Sequence, residues 1–274
     1  MIAATNHSEK GVNVDQQQPL SIGQVLDRGF GLYRRALGKL LPFCLALAVM
    51  GILPRLLHPV SAAMQGGRLG GGYFITVALV TLVNLLFQIA ILRKLDDVDS
   101  GRNQMGAAEA LTGGLPYFLP ALGATLLYAL IIMVGFILLV VPGVIFSISL
   151  IMVFFAVVLD GAGATGALGI SRNLVRGYWW RTWTIITVTM LIFLAVYIGI
   201  MMLASLALPF GSILSTASGQ AAPNTLGLLL VTAVFAVLSA VLTPMLYAMM
   251  LVTYRDLQLR KGGADLAARI AAVA

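Results

Sequence analysis

The sequence predicts an all-α membrane protein with about six transmembrane helices and additional amphipathic helices at the membrane surface. Of its 274 residues, 60% are hydrophobic and only 10% are charged, whereas roughly 45–50% apolar residues is usual for a soluble domain. No charged residue occurs in three long runs, at 69–92, 110–159 and 182–254. Because a membrane helix needs about 20 apolar residues, each of the last two runs is long enough for two spans.

Proline, glycine and polar clusters divide these runs into individual helices. The predicted spans lie near residues 40–58, 72–92, 117–140, 143–159, 184–209 and 226–252. Pro142 lies in a tight turn between the third and fourth spans, where it can begin the next helix. Residues 1–19 form a polar tail that we expect to be disordered, 20–261 form one membrane domain, and 262–274 form a short C-terminal tail.

The basic residues predict which side of the membrane each loop faces. Six spans place fifteen of the seventeen lysines and arginines on one side, together with both termini, and leave only Arg55 and Arg68 on the other. By the positive-inside rule, the basic side is the cytoplasmic side. The excess of basic residues on the cytoplasmic side then explains the net charge of +7, and we expect no nucleic-acid partner.

The stretch "SRNLVRGYWWRTW" (171–183) contains every tryptophan of the chain and three arginines. At helical spacing, 164–179 has one apolar arc and one arc with Arg172 and Arg176, which is typical of a helix lying in the membrane interface. The aromatic residues are predicted to act as interfacial anchors at the entry of the fifth span. These anchors are Tyr178, Trp179, Trp180 and Trp183.

The N-terminal stretch "SIGQVLDRGFGLYRRALGKLLPF" (21–43) has a similar amphipathic pattern, and Ser21 and Gln24 are spaced as a capping box. A shorter version, "MGAAEALTGGLPYF" (105–118), precedes the third span. The pattern suggests three repeats of one unit, an interfacial helix followed by a two-span hairpin, all in the same orientation.

The arginines of the interfacial stretches are candidate ligands for a lipid phosphate, because arginine can hold phosphate through two parallel hydrogen bonds. The candidate headgroup residues are Arg34, Arg35, Arg172, Arg176 and Arg181. Asp160 and Asp256 are expected to be ion-pair partners of arginines at the cytoplasmic face. The alternative is that these charges only neutralise one another where the interfacial helices meet the bundle.

Asn84 and Gln88 lie four residues apart on one face of the second span. Such amides either line a polar pathway or hydrogen-bond to a neighbouring helix. We expect no metal site, no cofactor and no catalytic residue, because two histidines and the single cysteine, Cys44, provide no ligand cluster and no nucleophile motif.

Three stretches, read together, resemble a known family. They are 21–43, the segment "VVPGVIFSISLIMVFFAVVLDGAGATGALGISRNLVRGYWWRTW" (140–183) and "PMLYAMMLVTYRDLQLRKGG" (244–263). They are similar to the membrane domain of glycerophosphoryl diester phosphodiesterases and to related stand-alone bacterial inner-membrane proteins. In those enzymes a soluble barrel carries the metal and the catalytic histidines. The sequence contains no such barrel, so the resemblance implies only a six-span membrane module associated with lipid or envelope biology.

The sequence therefore favours a non-enzymatic, multi-pass protein of the bacterial inner membrane with both termini in the cytoplasm. Its expected ligand is an anionic phospholipid, and a protein partner is left open. The alternative is a transporter or permease for a lipid-like or amphiphilic solute.

Overall fold

The computed structural model describes residues 20–57, 71–207 and 225–273. These residues form nine α-helices and contain no β-strand. The helices are α1 (Ile22–Leu57), α2 (Gly71–Asp99), α3 (Ala107–Thr112), α4 (Leu115–Leu138), α5 (Val140–Ser149), α6 (Val153–Asp160), α7 (Ala164–Val175), α8 (Trp179–Ala207) and α9 (Thr225–Val273).

Among the described residues, six helical segments are long and apolar enough to cross a membrane, as the sequence predicted. They belong to α1, α2, α4, α5 with α6, α8 and α9. The predicted all-helical membrane class is confirmed. The predicted loop at 211–224 lies outside the described residues, as do His58, Arg68 and the tail at 1–19.

The N-terminal stretch corrects one expectation. Instead of a separate interfacial helix followed by a span, α1 is one helix of 36 residues that runs through Pro42 and Pro54. It packs most extensively against α9, and Leu32, Leu40 and Phe43 are almost completely buried. This continuous packing against α9 offsets the backbone hydrogen bond that Pro42 removes and the clash of its ring with the preceding turn.

The helix begins as predicted. Ser21 N–H donates to Gln24 Oε1 (2.7 Å), and Gln24 N–H donates to Ser21 Oγ (3.2 Å). This reciprocal pair is the predicted capping box.

The predicted repeats also differ from one another in the structure. The second copy contains only the six-residue α3, and the third contains the full α7 before α8. A separate helix therefore precedes the span in the second and third copies but not in the first. The predicted C-terminal tail, 262–274, continues α9 as far as Val273.

The fourth span is broken into α5 and α6 by residues 150–152. Ser171 of α7 holds this break, because its Oγ accepts the Met152 N–H (3.1 Å) and donates to the Ser149 carbonyl (3.0 Å). Ser171 is fully buried. The hydroxyl replaces helical hydrogen bonds that the break removes, so non-helical backbone is tolerated inside the bundle.

Charged side chains gather at one end of the bundle, where α1 and α8 begin and where α2 and α6 end. The buried Asp256 of α9 also lies there, with partners from α8 and from the residue that precedes α1. We call this the charged end.

Candidate functional site

Helix α7 is placed between two turns that contain glycines with left-handed backbone. Gly161 (φ 67°) follows α6, and Gly177 (φ 90°) joins α7 to α8. Side chains other than glycine rarely adopt these φ values. The second turn brings Trp179, the first residue of α8, beside the end of α7 that carries Arg172 and Arg176.

As predicted, α7 is amphipathic. Its buried residues are Ala167, Ser171, Leu174 and Val175, and Arg172, Asn173 and Arg176 are exposed. Arg172 lies in the last turn of the helix and Arg176 caps it. Both arginines are therefore near the negative end of the α7 dipole.

Arg172 and Arg176 border a groove of about 650 Å³ between α4, α5, α7 and α8. We call it the arginine groove. Its remaining lining is mostly apolar and consists of Ile131, Ile145, Phe146, Ser149, Leu150, Leu168, Gly169, Val175, Gly177 and Trp179. Charged side chains at the edge of an apolar groove form a surface to which an amphiphile can bind.

Trp179 lines this groove and contains a hydrogen-bond donor that has no partner among the described residues. Its indole Nε1 is buried and has no partner among the described residues, while its ring stacks on Trp183 (5.7 Å between centroids) and meets Trp180 edge-on (4.9 Å). An unsatisfied buried donor costs roughly 1–3 kcal/mol.

The predicted interfacial anchors surround the turn from α7 into α8. Trp180 is 76% exposed and Trp183 is 38% exposed, as expected for side chains that meet lipid headgroups. The ring of Tyr178 lies below the guanidinium of Arg260 (5.8 Å) and the ammonium of Lys261 (5.9 Å). Tyr178 thus connects the α7–α8 turn to α9 and does not line the groove.

Arg34 and Arg35, which the sequence also assigned to a headgroup site, are exposed on α1. Neither lines the arginine groove. Arg35 Nε donates to the Gly31 carbonyl of its own helix (3.4 Å). The structure therefore does not bring these two arginines together with Arg172 and Arg176.

Arg181 is engaged elsewhere, in a cluster that we call the Asp256 clamp. Asp256, with a fully buried side chain, pairs with Arg181 (2.9 Å) and Arg260 (2.9 Å). It also accepts the Leu20 N–H (2.8 Å). The same two arginines donate to the Leu20 carbonyl. The clamp fixes the chain just before α1 against α8 and α9, and this leaves Arg181 committed to protein partners.

Asp160 has different partners from those expected. Tyr254 donates its hydroxyl proton to Asp160 Oδ2, and Gln258 Nε2 donates to Asp160 Oδ1 (3.3 Å). Within the described parts of the chain, no arginine or lysine pairs with Asp160. Asp160 joins the end of α6 to α9 through neutral donors.

The sequence analysis did not predict further ion pairs at the charged end. Lys94 and Asp97 form a buried pair (3.1 Å), and Lys94 also donates to the Met105 carbonyl. Asp96 pairs with Arg255 (2.5 Å) and Arg102 (3.2 Å). The spacing of Lys94 and Asp97, three residues apart on a helix, was the available signal for the first pair.

Asn84 and Gln88 both line a recess between α1, α2 and α9. Gln88 Oε1 accepts a hydrogen bond from the Tyr247 hydroxyl (3.0 Å), and Asn84 Nδ2 donates to the Val80 carbonyl (3.1 Å). Gln88 thus bonds a neighbouring helix, which was one of the two alternatives from the sequence, and it also faces a cavity. A polar pathway at these amides stays a prediction.

Within 20–57, 71–207 and 225–273, no group of three or more histidine, cysteine, aspartate or glutamate side chains is arranged to bind a metal ion.

Comparison with known proteins gives one match. No curated protein sequence and no solved structure matches the chain, so the resemblance to the phosphodiesterase membrane domain stays a prediction. A family profile described as a domain of unknown function, DUF7847, matches residues 73–257. This range covers α2 to α8 and the part of α9 that includes Asp256. Since the match extends over more than half of the chain, the protein belongs to the DUF7847 family.

Proposed function

We propose that the protein is a multi-pass protein of the bacterial inner membrane that binds an anionic phospholipid in the arginine groove, without enzymatic activity. The observation that supports this most strongly is the position of Arg172 and Arg176. Both are exposed at the rim of a groove of about 650 Å³ whose interior is mostly apolar. A lipid phosphate would lie between the two guanidinium groups, with an acyl chain against Ile131 and Phe146.

The charges around the groove support an anionic headgroup. Neither Arg172 nor Arg176 is paired with a carboxylate among the described residues. Each arginine near an anionic membrane surface contributes about 1 kcal/mol of attraction, and bidentate hydrogen bonds to phosphate add geometric selectivity. Trp179 also lines the groove, and its indole N–H has no partner among the described residues.

The proposal includes the orientation. If the charged end faces the cytoplasm, the basic residues obey the positive-inside rule and the groove opens toward the anionic inner leaflet. Both termini are then cytoplasmic.

Native mass spectrometry of the detergent-extracted protein tests the lipid site. We expect the wild type to retain an anionic phospholipid and the Arg172→Gln/Arg176→Gln variant to lose it. The matched control is Arg34→Gln/Arg35→Gln, which removes the same charge from exposed positions that do not line the groove. Equal lipid retention in all three proteins would contradict the proposal.

The alternative function, a permease for an amphiphilic solute, draws on a separate observation. The fourth span is broken at 150–152, and discontinuous helices form the solute sites of many transporters. Changing Asn84 and Gln88 to leucine, in parallel with the arginine variants, separates the two functions. If the leucine variants lose the protein's function in cells and the arginine variants keep it, the permease is favoured.

A further inference from the structure

A second recess lies among the membrane-spanning helices, and half of its ten lining residues are polar. It has a volume of about 300 Å³ and lies between α1, α2 and α9. Its polar lining comes from Asn84, Gln88, Thr232, Ser239 and Thr243. We call it the amide recess.

The amide groups of the recess have unused hydrogen-bonding capacity. Gln88 uses its Oε1 to accept from Tyr247, and its Nε2 has no partner among the described residues. Asn84 uses one Nδ2 proton for the Val80 carbonyl, and its Oδ1 accepts nothing from them. Each amide has two donor protons and one acceptor oxygen, so the recess contains both free donors and a free acceptor.

The hydroxyl groups add acceptors. Ser239 Oγ donates its proton to the Phe235 carbonyl (2.7 Å), and Thr243 Oγ1 donates to the Ser239 carbonyl (2.6 Å). Because each proton is used within α9, the oxygen lone pairs are what these hydroxyls can offer a ligand.

The recess selects against charge. Of the described residues that line it, none is ionisable, so an ion entering it would lose hydration without gaining a counter-charge. A group that both donates and accepts hydrogen bonds would be matched, and a hydroxyl is such a group. The volume of about 300 Å³ is well above the roughly 30 Å³ that one water molecule occupies in the liquid.

We propose that the amide recess binds a small neutral polyhydroxyl solute, held by Asn84 and Gln88 on α2 and by Ser239 and Thr243 on α9. Such a solute would provide hydrogen-bond partners inside the bilayer for Gln88 Nε2 and Asn84 Oδ1, which have none among the described residues. This site is separate from the arginine groove, with which it shares no lining residue.

Cysteine labelling tests the site in the full-length protein reconstituted in liposomes. The only native cysteine, Cys44, is buried, so Cys44→Ala provides the background. Ser239 is exposed and lines the recess, so Ser239→Cys places a thiol at the open side of the recess. The matched control is Thr81→Cys, an exposed residue one turn from Asn84 that makes the same bond to its own helix (2.8 Å to the Val77 carbonyl) but lies outside the recess.

We expect a water-soluble methanethiosulfonate reagent to modify Ser239→Cys at least about tenfold faster than Thr81→Cys, because only a hydrated thiol forms the reactive thiolate and each unit of pKa is a factor of ten. We then expect glycerol to slow the modification of Ser239→Cys by about twofold at a concentration equal to its Kd. Potassium chloride of equal osmolality should leave the rate unchanged.

Two results would overturn the inference. Equal rates at the two positions would mean that the recess is dry. Faster labelling of Ser239→Cys that glycerol does not slow would mean that the recess holds water only. Thr243→Cys should repeat the Ser239→Cys pattern, so a single misfolded variant does not decide the outcome. Neither result bears on lipid retention at Arg172 and Arg176.

Discussion

Arg172 and Arg176 differ from Arg181 in their surroundings, although all three lie within ten residues of the chain. The first two are exposed at the rim of an apolar groove, whereas Arg181 is mostly buried and paired with Asp256. The turn at Gly177 lies between them, and Arg181 belongs to α8, which begins after that turn. The comparison shows that arginines of one basic stretch can divide between an exposed groove and structural support, according to whether a carboxylate from another helix reaches them.

The largest effect is expected from breaking the Asp256 clamp. Asp256→Asn leaves Arg181 and Arg260 without a counter-charge in a buried position, and removing one partner of a buried pair typically costs about 3–5 kcal/mol. We expect a large loss of thermal stability in detergent, measured by the unfolding transition of the variant against wild type.

Asp96→Asn is the matched control for the clamp. The partners of Asp96, Arg255 and Arg102, are 42% and 63% exposed at their side chains, and exposed pairs contribute about 0–1 kcal/mol. If both aspartate variants unfold alike, the distinction between a buried clamp and solvated ion pairs is wrong.

A smaller loss of stability is expected at Ser171, beside the break between α5 and α6. Ser171→Ala removes the hydroxyl that holds the break between α5 and α6 and leaves the Met152 N–H unpaired, at a cost of about 1–3 kcal/mol. Thermal unfolding of Ser171→Ala beside Ser149→Ala measures this. Ser149 Oγ bonds only to the Ile145 carbonyl of its own helix (2.7 Å), so its removal should be nearly neutral, and the reverse order would contradict the assigned role of Ser171.

The smallest effect is expected at Trp179. Trp179→Phe keeps most of the aromatic surface and removes the N–H that faces no protein acceptor, so folding should not weaken. Anionic-lipid affinity should fall by about 0.5–1.5 kcal/mol, the net value of one hydrogen bond, in a lipid titration monitored by native mass spectrometry. Trp180→Phe, at a highly exposed position, serves as the control, and equal losses in both variants would assign no special role to the indole of Trp179.

Hydropathy and charge predicted the six apolar segments because a span must be apolar over most of its length. They did not predict where the helices end. Both α1 and α2 extend past their predicted spans, since the hydrogen-bonded backbone continues wherever the side chains still pack, as Leu32 on α1 and Leu95 on α2 do. Hydropathy marks the membrane-crossing part of a helix and not the helix itself.

The break at 150–152 could not be predicted from local sequence, because no proline or glycine occurs in "SISLIMV" (147–153). The break depends on Ser171, which comes from another helix. The pairing of Arg181 with Asp256 could not be predicted either, because it is a tertiary contact between α8 and α9. By contrast, the exposed positions of Arg172 and Arg176 followed from helical periodicity alone.

The most direct test of the central claim is quenching of Trp179 fluorescence by phospholipids brominated on an acyl chain. All three tryptophans lie at 179, 180 and 183, so Trp180→Phe/Trp183→Phe leaves Trp179 as the only reporter beside the groove. We predict stronger quenching by brominated phosphatidylglycerol than by brominated phosphatidylcholine, and loss of this preference when Arg172 and Arg176 are changed to glutamine. Equal quenching by the two lipids in the protein that retains both arginines would contradict an anionic-lipid site in the arginine groove.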